Sequence, residues 1–249
     1  MFSFNTSVLK IATPGVKIAM VNIDCPEVKT STMQAVASAL TVQAQQHFAL
    51  PPPFGYGFGA TVRVTTLKSV KKDEWVLMLL ANPDVDGALG YHDQTDSGMP
   101  IIKIFPRLDA LYGSSWSVTA SHEVLETLAD PNIAKAAMSV DGNFWAYEIC
   151  DAVEQDTYLI NKVPVSNFVL PPYFEPVNNY AGVKLDYLGL IKQPLEIRPG
   201  GYGQYFDPAT GWNAVYDKKV EPTKLSQYRT TLHDKHMGRG ARRSTKKTE

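Results

Sequence analysis

Cysteine is scarce in this sequence, with Cys25 and Cys150 alone among 249 residues. Two cysteines cannot build a disulfide framework, so we expect both to be buried free thiols in a reducing compartment. No apolar stretch approaches the length of a transmembrane helix, so no membrane partner is expected. The N-terminal residues Met-Phe-Ser-Phe-Asn-Thr-Ser also lack the basic and apolar regions of a secretory signal. These absences predict a cytoplasmic protein.

Net charge is nearly absent as well, because 24 Lys and Arg residues stand against 25 Asp and Glu residues. The chain as a whole therefore lacks the character of a nucleic-acid-binding protein. Its hydrophobic fraction of 44% is typical of a globular protein with a sizeable core. Basic residues concentrate in the last segment, at Lys235, Arg239, Arg242, Arg243, Lys246 and Lys247. Segment 223–249 is predicted to be a mobile tail, either a solubilising end or an arm for an acidic partner or DNA.

Hydrophobic patterns predict an α+β fold in the first part of the chain. Strands are expected at Val16–Asp24, Ala60–Leu67, Trp75–Leu80 and Ile101–Phe105. The second and third of these are expected to pair antiparallel across a charged turn. One helix should start at Ser31 or Thr32 and end near Phe48, and another should start after Ser114 or Ser115. Between them, Asn82–Pro100 is predicted to be a long loop.

The second part of the chain is rich in proline, glycine and aromatic residues. We therefore divide the sequence into an α+β core at 1–150, an irregular β-rich extension at 151–222 that packs on it, and the tail at 223–249. The extension is not expected to fold as a separate domain.

The most informative motif is Ser-His-Glu-Val-Leu-Glu-Thr-Leu-Ala-Asp-Pro, which begins at Ser121. On a helix, His122, Glu126 and Asp130 lie along one face. Glu123 has the position of the general base in the His-Glu-x-x-His helix of zinc peptidases. His122 and Glu126 would supply two metal ligands from adjacent turns. A third would come from Glu148 or Asp151, with Asp130 as an outer-sphere partner of the ligands.

Several alternatives remain open for these residues. Glu126 and Asp130 could lie on a solvated face, or they could hydrogen-bond the backbone of the Glu148–Asp151 segment. His92 is a candidate loop contact to metal or substrate, or simply a surface histidine. Cys150 is expected to face the core. If an ion is bound, zinc with a mixed ligand set is favoured by the helix spacing, and calcium, manganese or magnesium would suit the carboxylates.

Four blocks together resemble a zincin-like, metallopeptidase-like group of bacterial, fungal and bacteriophage proteins. They are the Ser121 motif, Glu148-Ile-x-Asp151, Asn167-Phe-Val-Leu-Pro-Pro-Tyr-Phe-Glu-Pro176 and Pro199-Gly-Gly-Tyr202, and the similarity extends from about residue 16 to 216. The resemblance implies a twisted mixed sheet whose edge strand precedes the motif helix. Ile101–Phe105 would be that edge, and a peptide substrate would pair with it.

Two functions follow from this resemblance. The first is a metal-binding protein of zincin-like fold, a degenerate metallopeptidase in which Glu123 activates water. The second is a non-catalytic structural component of a phage particle. It would need no cofactor, would contact other virion proteins, and would use the acidic residues as internal braces. The sequence departs from the zinc-peptidase pattern at Glu126, where the second histidine is expected, and lacks a downstream Gly-x-x-His.

Overall fold

A computed structural model describes residues 15–84, 88–175 and 182–217. The predicted basic tail lies outside these ranges, as do residues 85–87 of the predicted loop at 82–100. The described part is a mixed α and β structure, which confirms the α+β class. Within it, no helix is both long and apolar enough to cross a membrane.

A five-stranded sheet forms the first layer. Its strands are β1 (Val16–Asn22), β2 (Ala60–Thr65), β3 (Trp75–Leu79), β4 (Gly90–Gln94) and β5 (Pro100–Ile104). The order is β2-β1-β3-β5-β4. The first four strands in that order are mutually parallel, and β4 closes one edge antiparallel to β5.

Three sequence predictions about this sheet were wrong. The strands β2 and β3 are not an antiparallel pair, because β1 lies between them and pairs parallel with both. Buried residues on both faces of β1, from Ile18 to Val21, make the central position favourable for it. The segment Asn82–Pro100 is not one loop, since it contains β4. As a consequence β4, and not Ile101–Phe105, is the edge strand beside the motif helix.

Two helices cover one face of the sheet. They are α1 (Thr30–Val42), which continues as a π-helical turn to Phe48, and α3 (Trp116–Ala129). A short α2 (Pro106–Leu111) precedes α3. The N-cap of α1 is Lys29 and not Ser31 or Thr32, whereas Ser115 is the N-cap of α3 as predicted. Neither cap side chain bonds the helix backbone, so packing on the sheet, and not capping, stabilises both helices.

The remaining strands form two antiparallel units. Strands β6 (Ala136–Met138), β7 (Phe144–Ala146), β10 (Tyr202–Asp207) and β11 (Gly211–Tyr216) make a sheet in the order β11-β10-β7-β6. Strands β8 (Thr157–Ile160) and β9 (Val163–Ser166) form a hairpin, and β9 packs against α1 and α3. One buried cluster contains Ile18 and Leu77 from the first sheet together with Phe168 and Tyr173. The two parts of the chain therefore share a core.

A buried polar network fixes the position of α3 within this core. The Ser121 hydroxyl donates to Gln43 Oε1 at 2.7 Å and accepts the Ser166 amide at 2.9 Å. The Gln43 amide then donates to the Ser166 carbonyl at 2.8 Å. Since each of these polar groups is buried and paired, the network holds α1, α3 and β9 in one arrangement.

Candidate metal centre

Helix α3 is buried along nearly its whole length, including its charged residues. Its apolar positions, among them Val124, Leu125 and Leu128, lie in the core, yet Glu126 is only 3% exposed and Asp130 only 1%. The interpretation of these two acids as a solvated face is therefore wrong. Charged groups this deeply buried require compensating partners.

The first set of partners surrounds the Nε2 atom of His122. Glu126 Oε2 lies 3.3 Å from this nitrogen and Asp151 Oδ1 lies 3.2 Å from it. Donor atoms that share a tetrahedral ion at about 2.0–2.2 Å are separated by about 3.3–3.6 Å. Asp151 Oδ1 is buried and makes no well-aligned hydrogen bond within the described residues, so its close approach to His122 is that of an ion pair or of two donors to one cation. The separations of Glu126 Oε2 and of Asp151 Oδ1 from His122 Nε2 are each compatible with donors to a shared cation.

Backbone hydrogen bonds hold Asp151 in this position. The Cys150 amide donates to Glu126 Oε1 at 3.0 Å, which joins the motif helix directly to the segment that precedes Asp151. The predicted bond from Glu126 to the Glu148–Asp151 backbone is thereby confirmed. The Arg198 amide donates to the Ala152 carbonyl at 2.8 Å on the other side. A Cβ on Gly201 would lie 2.6 Å from that carbonyl, so this close approach requires glycine.

The second set of partners surrounds His92. This histidine lies on β4, not in a loop, and is only 4% exposed, so it is not a surface residue. Its Nδ1 donates to Glu123 Oε2 at 2.9 Å. Its Nε2 lies 3.9 Å from Glu148 Oε2. The two acids considered for the third ligand thus lie beside different histidines: Asp151 is near His122, and Glu148 is near His92.

The close approach of β4 to α3 brings the two sets together. A Cβ on Gly90 would lie 2.8 Å from Thr119 Cγ2, so a larger residue there would separate the strand from the helix. Glu126 Oε2, which is 3.3 Å from His122 Nε2, is also 3.9 Å from His92 Nδ1. Donor atoms of His92, Glu126 and Glu148 lie within 4.8 Å of one another, as do those of His122, Asp151 and Glu154.

Two neighbours of the site were missed by the sequence analysis. Glu154 Oε1 lies 3.9 Å from His122 Nδ1. Glu154 follows Asp151 by three residues, a spacing that places two side chains on one side of a helical turn, and this spacing could have indicated that Glu154 belongs to the site. Burial raises the pKa of Tyr202 well above its usual value, and the carboxyls of Asp151 and Glu154 reinforce that shift, which places this tyrosine at the site. The only sequence signal for Tyr202 is its place at the end of the Pro199-Gly-Gly-Tyr202 block.

Two other candidate residues have structural roles. Asp130 accepts hydrogen bonds from the amides of Ala134 at 3.0 Å and Lys135 at 2.8 Å, and so holds the turn after α3. The Cys150 thiol is buried, and burial raises its pKa well above the ordinary value. A neutral thiol is a poor metal ligand, and the expectation that Cys150 packs in the core is confirmed.

The protonation states reflect the crowding of acids. Burial raises the pKa of Glu126 to about 8, and the carboxyls of Asp151 and Glu148 add to the rise, although His122 opposes it. Burial alone would lower the pKa of His122, but the charges of Glu126 and Glu154 outweigh it and hold that pKa well above its usual value. Burial also acts to lower the pKa of His92, but Glu123 and Glu148 outweigh it, so that the pKa of His92 is raised above its usual value. A divalent cation would relieve the repulsion among the carboxyls, which adds to the shift of Glu126.

Comparison with known proteins adds no assignment. No protein-family model matches the chain, and neither the curated proteins nor the solved structures contain a significant match. The interpretation of the site therefore depends on its own geometry.

Proposed function

We propose that this protein is a metal-dependent hydrolase of zincin-like fold, in which His122, Glu126 and Asp151 hold a divalent cation. The observation that carries the proposal is the approach of two carboxylate oxygens to His122 Nε2, with Glu126 Oε2 at 3.3 Å and Asp151 Oδ1 at 3.2 Å. One nitrogen and two oxygen donors suit zinc in a mixed ligand set, and also manganese, magnesium or calcium. The antiparallel edge strand β4 beside the motif helix supports the zincin-like interpretation.

The surrounding residues have roles that follow from their positions. A cation held here would polarise a substrate carbonyl and lower the pKa of a water molecule. Glu123 follows His122 on α3, and its side chain retains 10% exposure, so its carboxylate lies at the accessible side of the cluster. Its hydrogen bond to His92 orients that carboxylate. We assign Glu123 the acceptance of a proton from water.

A peptide is the substrate class that the sheet geometry favours. Within the described ranges β4 is the outermost strand of the five-stranded sheet and pairs as a strand with β5 alone. Strand addition at this edge would place the main chain of a peptide beside His92, next to the metal ligands. The pairing surface proposed here is therefore β4, in place of Ile101–Phe105.

Metal analysis and peptide hydrolysis test this proposal together. The purified full chain should contain a stoichiometric divalent ion, and Glu123→Gln should reduce hydrolysis of a general peptide mixture about 10²- to 10⁴-fold, the usual contribution of a general base. The surface variant Glu27→Gln, which alters an exposed pair with Arg107, is the matched control. Unchanged hydrolysis in Glu123→Gln, or a metal-free wild type, would refute the hydrolase.

One observation favours a second function. Glu126 Oε1 bonds the Cys150 amide and Glu123 bonds His92, so both acids also act as internal braces. Braces of this kind suit a non-catalytic component of a phage particle that contacts other virion proteins. A stoichiometric ion without hydrolysis would favour this function. Salt-sensitive DNA binding that is lost on deletion of 233–249 would show that the basic tail is an arm for DNA.

A further inference from the structure

The two ring nitrogens of His92 have different environments. Nδ1 donates to Glu123 Oε2 at 2.9 Å, so whenever the ring is neutral it is Nε2 that carries the lone pair. Nε2 is buried, in a residue only 4% exposed, and it has no hydrogen-bond partner within the described ranges. Leaving a buried ring nitrogen without a partner is unfavourable, so this nitrogen requires an explanation.

A metal ligand is the role that this arrangement fits. Histidines that bind metals almost always donate their second ring N–H to a carboxylate, as His92 does to Glu123. On the other side, Nε2 lies 3.9 Å from Glu148 Oε2. That separation is too long for a hydrogen bond but falls within the about 3–4 Å that separates two donors of one divalent ion.

Glu126 lies between this pair and the first site. Its Oε1 is held by the Cys150 amide, while its Oε2 is 3.3 Å from His122 Nε2 and 3.9 Å from His92 Nδ1. Donor atoms of His92, Glu126 and Glu148 also lie within 4.8 Å of one another, so the carboxylate is within reach of both histidine groups. Bridging carboxylates of this kind are a recurrent feature of centres that hold two ions.

We infer that a second divalent cation binds at His92 Nε2 and Glu148, and that Glu126 is shared between the two ions. The inference deepens the proposed function, because the shared ligand makes the first site one half of a binuclear centre. Two ions would act on both the attacking and the leaving group of a hydrolysed bond. Glu123 then has a positioning role as well, since it sets the orientation and tautomer of His92.

Ion stoichiometry tests the inference in the full chain. Equilibrium dialysis with Mn²⁺ alone and with Zn²⁺ alone should give two ions for the wild type. Both His92→Ala and the isosteric Glu148→Gln should bind one. In the Mn²⁺ protein, electron paramagnetic resonance should show spin coupling that both variants abolish. His47→Ala, which removes a half-buried histidine stacked on Tyr187, is the matched control and should retain two ions.

The outcomes separate the second site from the first. Loss of one ion in His122→Ala supports the first site independently. Unchanged uptake in His122→Ala, together with loss in His92→Ala, would refute the first site and retain the second. One ion or none in the wild type with both metals, or full uptake in His92→Ala and Glu148→Gln, would overturn the inference. Circular dichroism confirms that each variant compared is folded.

Discussion

A glutamate at position 126 does what a histidine could not do there. Its two oxygens have separate tasks, since Oε1 accepts the Cys150 amide at 3.0 Å and Oε2 faces both histidines. A neutral imidazole has one acceptor nitrogen, so a histidine would have to give up either the backbone bond or the metal. Under the proposed function, the departure from the zinc-peptidase pattern would change the ligand set without removing the site.

Glu126→Gln should separate these two tasks. The amide oxygen of Gln can still accept the Cys150 N–H, while the anionic ligand is lost. We expect the metal-free variant to unfold at a denaturant concentration close to that of the wild type. Its metal affinity should fall by more than the roughly 10- to 100-fold typical of outer-sphere partners. Chemical denaturation and calorimetric metal titration measure the two effects, and wild-type affinity in the variant would contradict the assignment.

The raised pKa of Glu126 predicts the pH dependence of the metal-free protein. The folded-state pKa is about 8 against an ordinary value of 4.5, so between these pH values the folded state keeps a proton that the unfolded state releases. Stability should therefore fall as pH rises through this window. The raised pKa of His122 acts in the same direction, because its contribution is complete below 6.5 and is lost as pH rises through the folded-state value.

Urea unfolding in chelator at pH 5, 6, 7 and 8 measures this dependence. We expect the midpoint to decrease steadily toward pH 8 and the slope to flatten in Glu126→Gln. Bound metal should reverse the trend, since the ion competes with the proton for the carboxylate. A midpoint that increases between pH 5 and 8 in chelator would show that these groups do not titrate as described.

At the scale of elements, the sequence predicted α3 well and β4 not at all. The spacing of His122 and Glu126 on a helix is local information, and so both residues could be identified. Strand β4 reads Gly-Tyr-His-Asp-Gln, without apolar alternation, and it becomes a strand only because it pairs with β5. His92 therefore could not be placed in the site, since its position depends on a long-range pairing and on the close contact at Gly90.

Gly90→Ala tests that contact. The added methyl would lie 2.8 Å from Thr119 Cγ2 and 3.0 Å from the Lys103 carbonyl, so β4 must move away from α3. Overpacking of this kind typically costs about 1–3 kcal/mol. The displacement of His92 should also weaken binding of the second ion more than binding of the first.

A second substitution provides the control for this prediction. Thr119→Ser removes Cγ2 but keeps the hydroxyl that donates to Asp109 Oδ1 at 2.7 Å. Combined with Gly90→Ala, it should recover part of the lost stability, with the Lys103 carbonyl accounting for the remainder. Thermal unfolding of the single and double variants measures the recovery. Strictly additive effects would mean that the helix contact is not what positions β4.

At the scale of the molecule, the site exists only when distant segments have folded together. His92 comes from the sheet edge, His122 from α3 and Asp151 from the turn that Arg198 holds from the far side. Because an unfolded chain cannot assemble this set, binding energy at the site adds directly to folding stability.

Metal should therefore raise the melting temperature in a concentration-dependent manner. An ion present at 100 times its dissociation constant contributes about 2.7 kcal/mol. For a domain of this size, that corresponds to an increase of about 5–10 °C in the melting temperature.

Scanning calorimetry with zinc, manganese, magnesium and calcium in turn would rank the ions by the shift in melting temperature that each produces. His122→Ala should lose the part of the shift that the first ion contributes and Glu27→Gln none, because His122 contacts the shared carboxylate of Glu126 and Glu27 is paired with Arg107. Equal shifts in wild type and His122→Ala would place the stabilising ion elsewhere.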